Sequence, residues 1–310
     1  METRIAKTFV KVAEMGCITR AAEQLGYSQA AVTSQIQQLE ADLGVKLFDR
    51  VGRGIQLTDA GRNFRQYAVN LIRASEDADG FAMDQREPEG KLVIDATSSV
   101  SIGILPRLVA AFHKRYPKVR ISVRLSEDTD ILVDHVRQNQ VDFAFLFGRR
   151  ERYEGCLLAG EERPEFRFVT TPEDRLAGKK KVPLQEIMDK TFVSSFISTG
   201  RNTQKDYVME SYLRRTGYDV QAPVEFSPIA AVANYLRYNG GHAFLPLFMI
   251  EQELARGELC IIDTEPIEVY EYIQVLYSAT RWISPQAKAF LTFMGEEMPA
   301  PKEKEEREKV

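Results

Sequence analysis

The stretch FVKVAEMGCITRAAEQLGYSQAAVTSQIQQLE, residues 9–40, decides how the N-terminal part of this chain folds. Ile5, Phe9, Val12 and Ala13 recur at the spacing of one apolar helical stripe, and Gly16 ends that first helix. Thr19 precedes a short second helix carrying Ala21, Ala22 and Leu25, which Gly26 closes. Ser28 is placed to cap a third, whose inward face is Ala31, Val32, Ile36 and Leu39. Two helices joined by a short glycine-containing turn, the second with a polar outer face, make a helix-turn-helix.

The next segment, Lys46-Leu-Phe-Asp-Arg-Val-Gly-Arg-Gly-Ile-Gln-Leu-Thr58, reads as a small hairpin, a wing with Gly52, Gly54, Arg50 and Arg53 about its tip. Thr58-Asp-Ala-Gly opens a further helix in which Phe64, Ala68, Leu71, Ser75, Ala78 and Ala82 alternate four and three apart. Such a stripe is either a seam for a partner helix or the face that packs on its own domain. Glu87-Pro-Glu-Gly90 stops it.

From Lys91 the period changes. Strand 92–94, helix 104–116, strand 119–125, helix 130–139 and strand 141–147 are followed by a second block in the same order: 191–196, 203–216, 223–226, 229–239 and 242–247. Two such blocks imply two α/β lobes with a cleft between strand ends. Strand 267–277 and helix 285–298 can return to the first lobe, and Pro301–Lys309 is a charged tail with no apolar stripe.

The 310 residues, 44% apolar and 28% charged, describe a globular chain long enough for two or more folding units. No apolar run reaches the roughly 20 residues of a membrane helix, and the N-terminus lacks the features of a secretion signal. Three distant cysteines, Cys17, Cys156 and Cys260, suit a reducing cytoplasm as small core residues. The net charge of −4 is unevenly divided: the first 73 residues carry ten Lys/Arg against seven Asp/Glu, and the rest 31 against 38. The N-terminal piece alone therefore suits an anionic partner.

Enzyme chemistry finds no constellation. His113, His135 and His242 show no metal-ligand spacing, Ser98-Ser99 lacks a nucleophile elbow, and no phosphate loop appears. His113 and His135 read as helix-surface residues, and His242 as packing in preference to a ligand contact. No metal, no cofactor and no catalytic residue are expected.

The segment 9–40, with Leu43-Gly44, Leu47-Phe48-Asp49-Arg50 and Leu57-Thr58-Asp59-Ala60-Gly61, resembles the DNA-binding signature of LysR-type transcriptional regulators. Ile104-Leu-Pro-Arg107, Phe112…Tyr116-Pro117 and Gly240-Gly241…Leu245-Pro246 extend the resemblance to the family's effector domain. It implies an all-α winged helix-turn-helix over 1–58 and a linker and dimerisation helix over 59–87. An α/β two-lobed effector-binding domain like the periplasmic binding proteins follows over 88–300, with lobe I about 91–161 and 268–298, lobe II about 162–267, and a charged tail 301–310. Phe64, Ala68, Leu71 and Ala78 become the dimer seam of a homodimer or homotetramer.

The expected partner is double-stranded DNA with an inverted-repeat promoter site, since a two-fold protein matches two-fold DNA. Gln29, Ala30, Thr33, Ser34 and Gln37 are candidates for base edges, where Gln suits adenine and a Thr methyl suits thymine. Gln38 lies beside them. Ser34 stands where the family often has Arg or His. Arg53 suits the minor groove, and Thr19, Arg20 and Arg50 suit phosphates. The effector, a small molecule such as a carboxylate, is expected at Ser98, Ser99, Thr129, Ser195, Phe196, Arg201 and Asn202. The turn after the first strand exposes helix N-terminal amides beside hydroxyls. Alternatives are a DNA-binding architectural protein without a ligand, or a two-lobed solute-binding protein, which would need a secretion signal and no helix-turn-helix.

Overall fold

Three helices, each ended by a glycine in the left-handed region, begin the chain: α1 (Thr3–Met15), α2 (Ile18–Leu25) and α3 (Gln29–Leu43), with Gly16, Gly26 and Gly44 at φ 58°, 69° and 70°. Ser28 Oγ accepts the Ala31 N–H at 3.1 Å and caps α3. The wing is the antiparallel pair β1 (Phe48–Val51) and β2 (Gly54–Leu57), with Phe48 opposite Leu57 and Arg50 opposite Ile55. Helix α4 (Asp59–Phe81) follows. The computed structural model describes residues 2–51, 54–81, 87–188, 191–195, 197–199, 204–206, 222–227, 229–265 and 267–298. The chain divides near Arg86 into two compact units.

Phe9, Val12, Val32, Leu39, Leu47 and Ala68 are buried in one core of the first unit. Phe9 meets Phe48 at 5.2 Å and Phe64 edge-on at 5.1 Å between ring centroids, so one ring joins α1 to both the wing and α4. Burial of a Phe side chain contributes about 1.5–3 kcal/mol, and its ring pairs add to that.

This packing engages part of the expected dimer seam within one chain. Ala68 is fully buried inside its own unit, and Phe64, Leu71 and Ile72 pack against the same core. The stripe that reads as half of a coiled coil is covered by α1 of the same chain. Of the four expected residues only Ala78 is exposed; it shares α4 with the exposed Tyr67 and Ala74.

The second unit is built on a five-stranded sheet in the order β4-β3-β5-β14-β6. Its strands are β3 (Gly90–Ala96), β4 (Val119–Leu125), β5 (Phe143–Arg149), β6 (Cys156–Glu162) and β14 (Glu271–Ser278). β3 runs parallel to both β4 and β5, while β14 lies antiparallel between β5 and β6. Helices α5 (Ser98–Gly103), α6 (Leu105–Arg115) and α7 (Thr129–Arg137) make the crossovers, and α11 (Pro285–Glu297) places Phe290 and Phe293 against Phe112. The helix expected over 104–116 is thus preceded by a separate short one, with Pro106 in the first turn of α6.

The second lobe holds β7 (Phe166–Thr170), α8 (Leu184–Ile187), β8 (Val193–Ser195), β9 (Ile197–Thr199), β10 (Gln204–Asp206) and β11 (Val224–Phe226). It continues with α9 (Ile229–Asn239), β12 (Ala243–Pro246), α10 (Glu251–Ala255) and β13 (Cys260–Ile261). β7 is flanked by β12 and β13, and β8 pairs parallel with β11. The helix expected from 203 is corrected at its start: Gln204–Asp206 pairs antiparallel with Ile197–Thr199. Cys17, Cys156 and Cys260 are free and half-buried, and Cys156 packs against the core cluster of Val93, Leu132 and Leu276.

Two helical glycines face opposite constraints. A Cβ on Gly61 would overlap the Leu47 carbonyl oxygen and a Leu57 methyl, whereas Gly295 in α11 has open space around it. Gly61→Ala should destabilise the protein by about 1–3 kcal/mol despite the better helix propensity of Ala. Gly295→Ala should stabilise it by up to about 1 kcal/mol. Thermal and denaturant melts of both variants check the pair of signs.

Candidate nucleic-acid interface and effector site

Helix α3 has two chemically distinct faces. Val32, Ile36 and Leu39 are buried, while Gln29, Ala30, Ser34, Gln37 and Gln38 are exposed and Thr33 is half-buried. The Thr33 hydroxyl donates to the Gln29 carbonyl at 2.9 Å, which engages its oxygen. Gln38 is tethered by its amide to Asp42 at 2.6 Å, so it is less available to a base edge than Gln37 one residue before it. Thr19 and Arg20 are exposed at the start of α2, with Arg20 donating to the Met15 carbonyl at 2.6 Å. Arg50 is exposed on β1; Arg53 lies outside the described residues.

Two polar contacts absent from the sequence reading hold α3 in place. Thr8, fully buried on α1, lies with its hydroxyl 2.6 Å from Gln35 Oε1. Glu40, on the inner side of α3, accepts from the Leu47 N–H at 2.8 Å, the Phe48 N–H at 3.2 Å and Lys46 Nζ at 2.7 Å. Burial pushes the Glu40 carboxyl up, but Lys46 and the two amides outweigh it and hold it below the usual range.

In the second unit the turns after β3 and β4 lie side by side, because the strands are parallel neighbours and the Ser126 N–H donates to the Ala96 carbonyl at 3.1 Å. Ser99 is buried, Ser98 and Thr129 are half-buried, and Thr97 Oγ1 is buried without a hydrogen-bond partner among the described residues. The expected anion position is filled by the chain itself: Glu127 accepts the Ser98 N–H at 3.2 Å. Asp128 caps α7 by accepting from the Asp130 and Ile131 amides. Ser195 ends β8, in register with Phe226 of β11. Phe196, Arg201 and Asn202 lie outside the described residues. Phe145 is core, and Phe147 meets both Phe166 and Phe248 of the second lobe, at 6.2 and 5.6 Å.

Asp95 ties together the elements that carry those turns. From β3 it accepts Arg124 of β4 through both oxygens, at 2.6 and 3.0 Å, and lies 2.6 Å from His135 Nδ1 of α7. His135 is therefore part of an ion-pair cluster, not the plain surface residue expected. His242 is buried, with Nδ1 3.4 Å from the Thr170 hydroxyl and 3.7 Å from Asp174. Burial pushes the Cys156 and Cys260 thiols up, away from ready reactivity. Among the described residues there is no metal-binding cluster, and no helix is long and apolar enough to cross a membrane.

Residues 4–62 match the family described as bacterial regulatory helix-turn-helix protein, lysR family, and residues 85–299 match the LysR substrate binding domain. The chain belongs to the LysR family of transcriptional regulators. It is 29% identical over 296 residues to the transcriptional regulator YofA of Bacillus subtilis, covering 96% of this chain and 98% of that protein. It is 28% identical to the RuBisCO operon transcriptional regulator of Allochromatium vinosum, covering 94% of each. Among solved structures, full-length OxyR from Pseudomonas aeruginosa shares the fold at TM-score 0.69 and 16% identity, covering 95% of each chain. CbnR in complex with its target DNA shares it at TM-score 0.66 and 20% identity, covering 96% of this chain and 99% of that one.

Burial pushes the Asp95 carboxyl up, yet His135 and Arg124 outweigh it and hold it below the usual carboxylate range. A depressed carboxyl contributes stability that is full above its unfolded pKa, about 3.9, and is lost as pH falls through the folded value. Asp95→Asn should therefore cost about 1–3 kcal/mol at neutral pH, discounted for the half-exposed Arg124. The difference from wild type should shrink in urea titrations run at progressively lower pH below about 4.

Proposed function

We propose that this regulator binds an inverted-repeat duplex as a homodimer or homotetramer in the cytoplasm, as a DNA switch and not as an enzyme. The observation that carries the DNA reading is the division of α3 into a packed apolar face and an exposed row of short polar side chains. Gln29, Ala30, Thr33, Ser34 and Gln37 read base edges in the major groove, with Thr33 offering its methyl group because its hydroxyl is bonded to Gln29. Thr19, Arg20, Arg50 and Arg53 hold the backbone and the neighbouring minor groove. The exposed side of α4 at Tyr67, Ala74 and Ala78 takes over the dimer contact from the inward stripe.

The effector sits at the turns that carry Ser98, Ser99 and Thr129, opposite Ser195 in the second lobe. Thr97 Oγ1, buried and without a partner among the described residues, supports this reading, since such a group costs free energy until something bonds it. Binding regulates only if the effector prefers one arrangement of the protein over another. A carboxylate effector has to displace Glu127 from the Ser98 amide.

The test uses a duplex selected by the full-length protein from a randomised library, titrated by fluorescence anisotropy. Gln37→Ala should weaken binding about 5- to 100-fold, while Gln38→Ala should stay near wild type. Equal losses from the two, with folding intact, would reject the assignment of faces. For the effector, a thermal-shift screen of metabolites against the full chain comes first. Ser99→Ala should then weaken the best hit roughly tenfold or more and leave DNA affinity without ligand unchanged.

A further inference from the structure

The wing has to stand at a set distance from the recognition helix if one duplex is to meet both. Between Leu43 at the end of α3 and Phe48 at the start of β1 the chain reverses through Gly44, at φ 70°. Glu40 bridges that reversal from within. Its side chain is only 8% exposed, and its two oxygens take the Leu47 and Phe48 amides and the Lys46 ammonium. The other strand of the wing is tied elsewhere, through the Ile55 N–H to the Gly16 carbonyl at 3.1 Å. Arg50 lies two residues beyond Phe48 on the strand whose start Glu40 holds, whereas Gln37, one turn before Glu40 on α3, is exposed and takes no part in that bridge.

We propose that Glu40 is a positioning residue for DNA binding: by anchoring Leu47 and the first residue of β1 to α3, it sets where Arg50 meets the duplex. This rests on the reading of α3 and the wing as DNA-contacting elements. Glu40 itself is buried and makes no contact with DNA. Its effect is confined to the wing, so contacts made by α3 continue without it.

A double-mutant cycle on the full-length protein separates these roles, with the duplex selected from a randomised library as the probe. In wild type, Arg50→Ala should weaken binding on the order of tenfold. In the Glu40→Gln background the same substitution should cost less than about threefold, because the misplaced arginine has already lost its contact. Gln37→Ala should cost the same factor in both backgrounds. Hydrogen exchange at the Leu47 and Phe48 amides should speed up in Glu40→Gln while α1 stays protected. If Glu40→Gln does not fold, Glu40→Asp, which keeps the charge but is shorter, replaces it and should give an intermediate coupling. Full additivity of Arg50 with Glu40 would overturn the proposal and leave the wing reading intact. A silent Arg50→Ala in wild type would overturn both.

Discussion

The peptide of Leu47 is the joint on which the DNA-binding unit depends. Its N–H donates to the buried carboxylate of Glu40, its carbonyl accepts the Thr58 N–H at 3.0 Å, and its side chain is fully buried in the core that holds Phe9 and Leu39. The same carbonyl lies so close to Gly61 that α4 can begin there only without a Cβ. Recognition helix, wing and linker helix thus meet at one residue. Buried backbone groups must be paired, so a one-residue slip of β1 would orphan both polar groups and turn Leu47 out of the core.

The effector domain repeats this logic with a charged cluster. Asp95 holds β3 to β4 and α7, the elements from which the turns at Ser99 and Thr129 leave the sheet. A buried carboxylate is tolerable only because Arg124 and His135 satisfy both its oxygens. One turn further on, Glu127 does for the Ser98 amide what a bound anion would do. These turns are therefore framed by groups that already satisfy one another, with Thr97 Oγ1 left over among the described residues.

Legibility in the sequence followed the range of the interactions. The three head helices, their glycine ends and the Ser28 cap are local features, and periodicity with capping chemistry located them. Strand 119–125 and helix 229–239 were likewise readable from their own residues. The stripe Phe64-Ala68-Leu71 was visible too, but periodicity says only that a face is apolar, not whose surface covers it; α1 covers it. The segment at 204–206 looked like the opening of a helix by analogy with the first block, and a ladder with β9 claimed its backbone instead.

The amino-acid sequence by itself determined the kind of protein: a helix-turn-helix with a basic wing, a linker helix and a two-lobed α/β domain, all set by short-range spacing and turn residues. Tertiary structure alone decided the roles of Glu40, Thr8, Asp95, His135 and Glu127. In sequence each is an ordinary polar residue on a helix, strand or loop. What gives each its role is a partner brought close by folding: the Leu47 amide just ahead of β1 for Glu40, Gln35 of another helix for Thr8, a neighbouring strand and helix for Asp95. Electrostatic and hydrogen-bonding roles depend on distance in space and on burial, and neither is encoded in the spacing of a single segment.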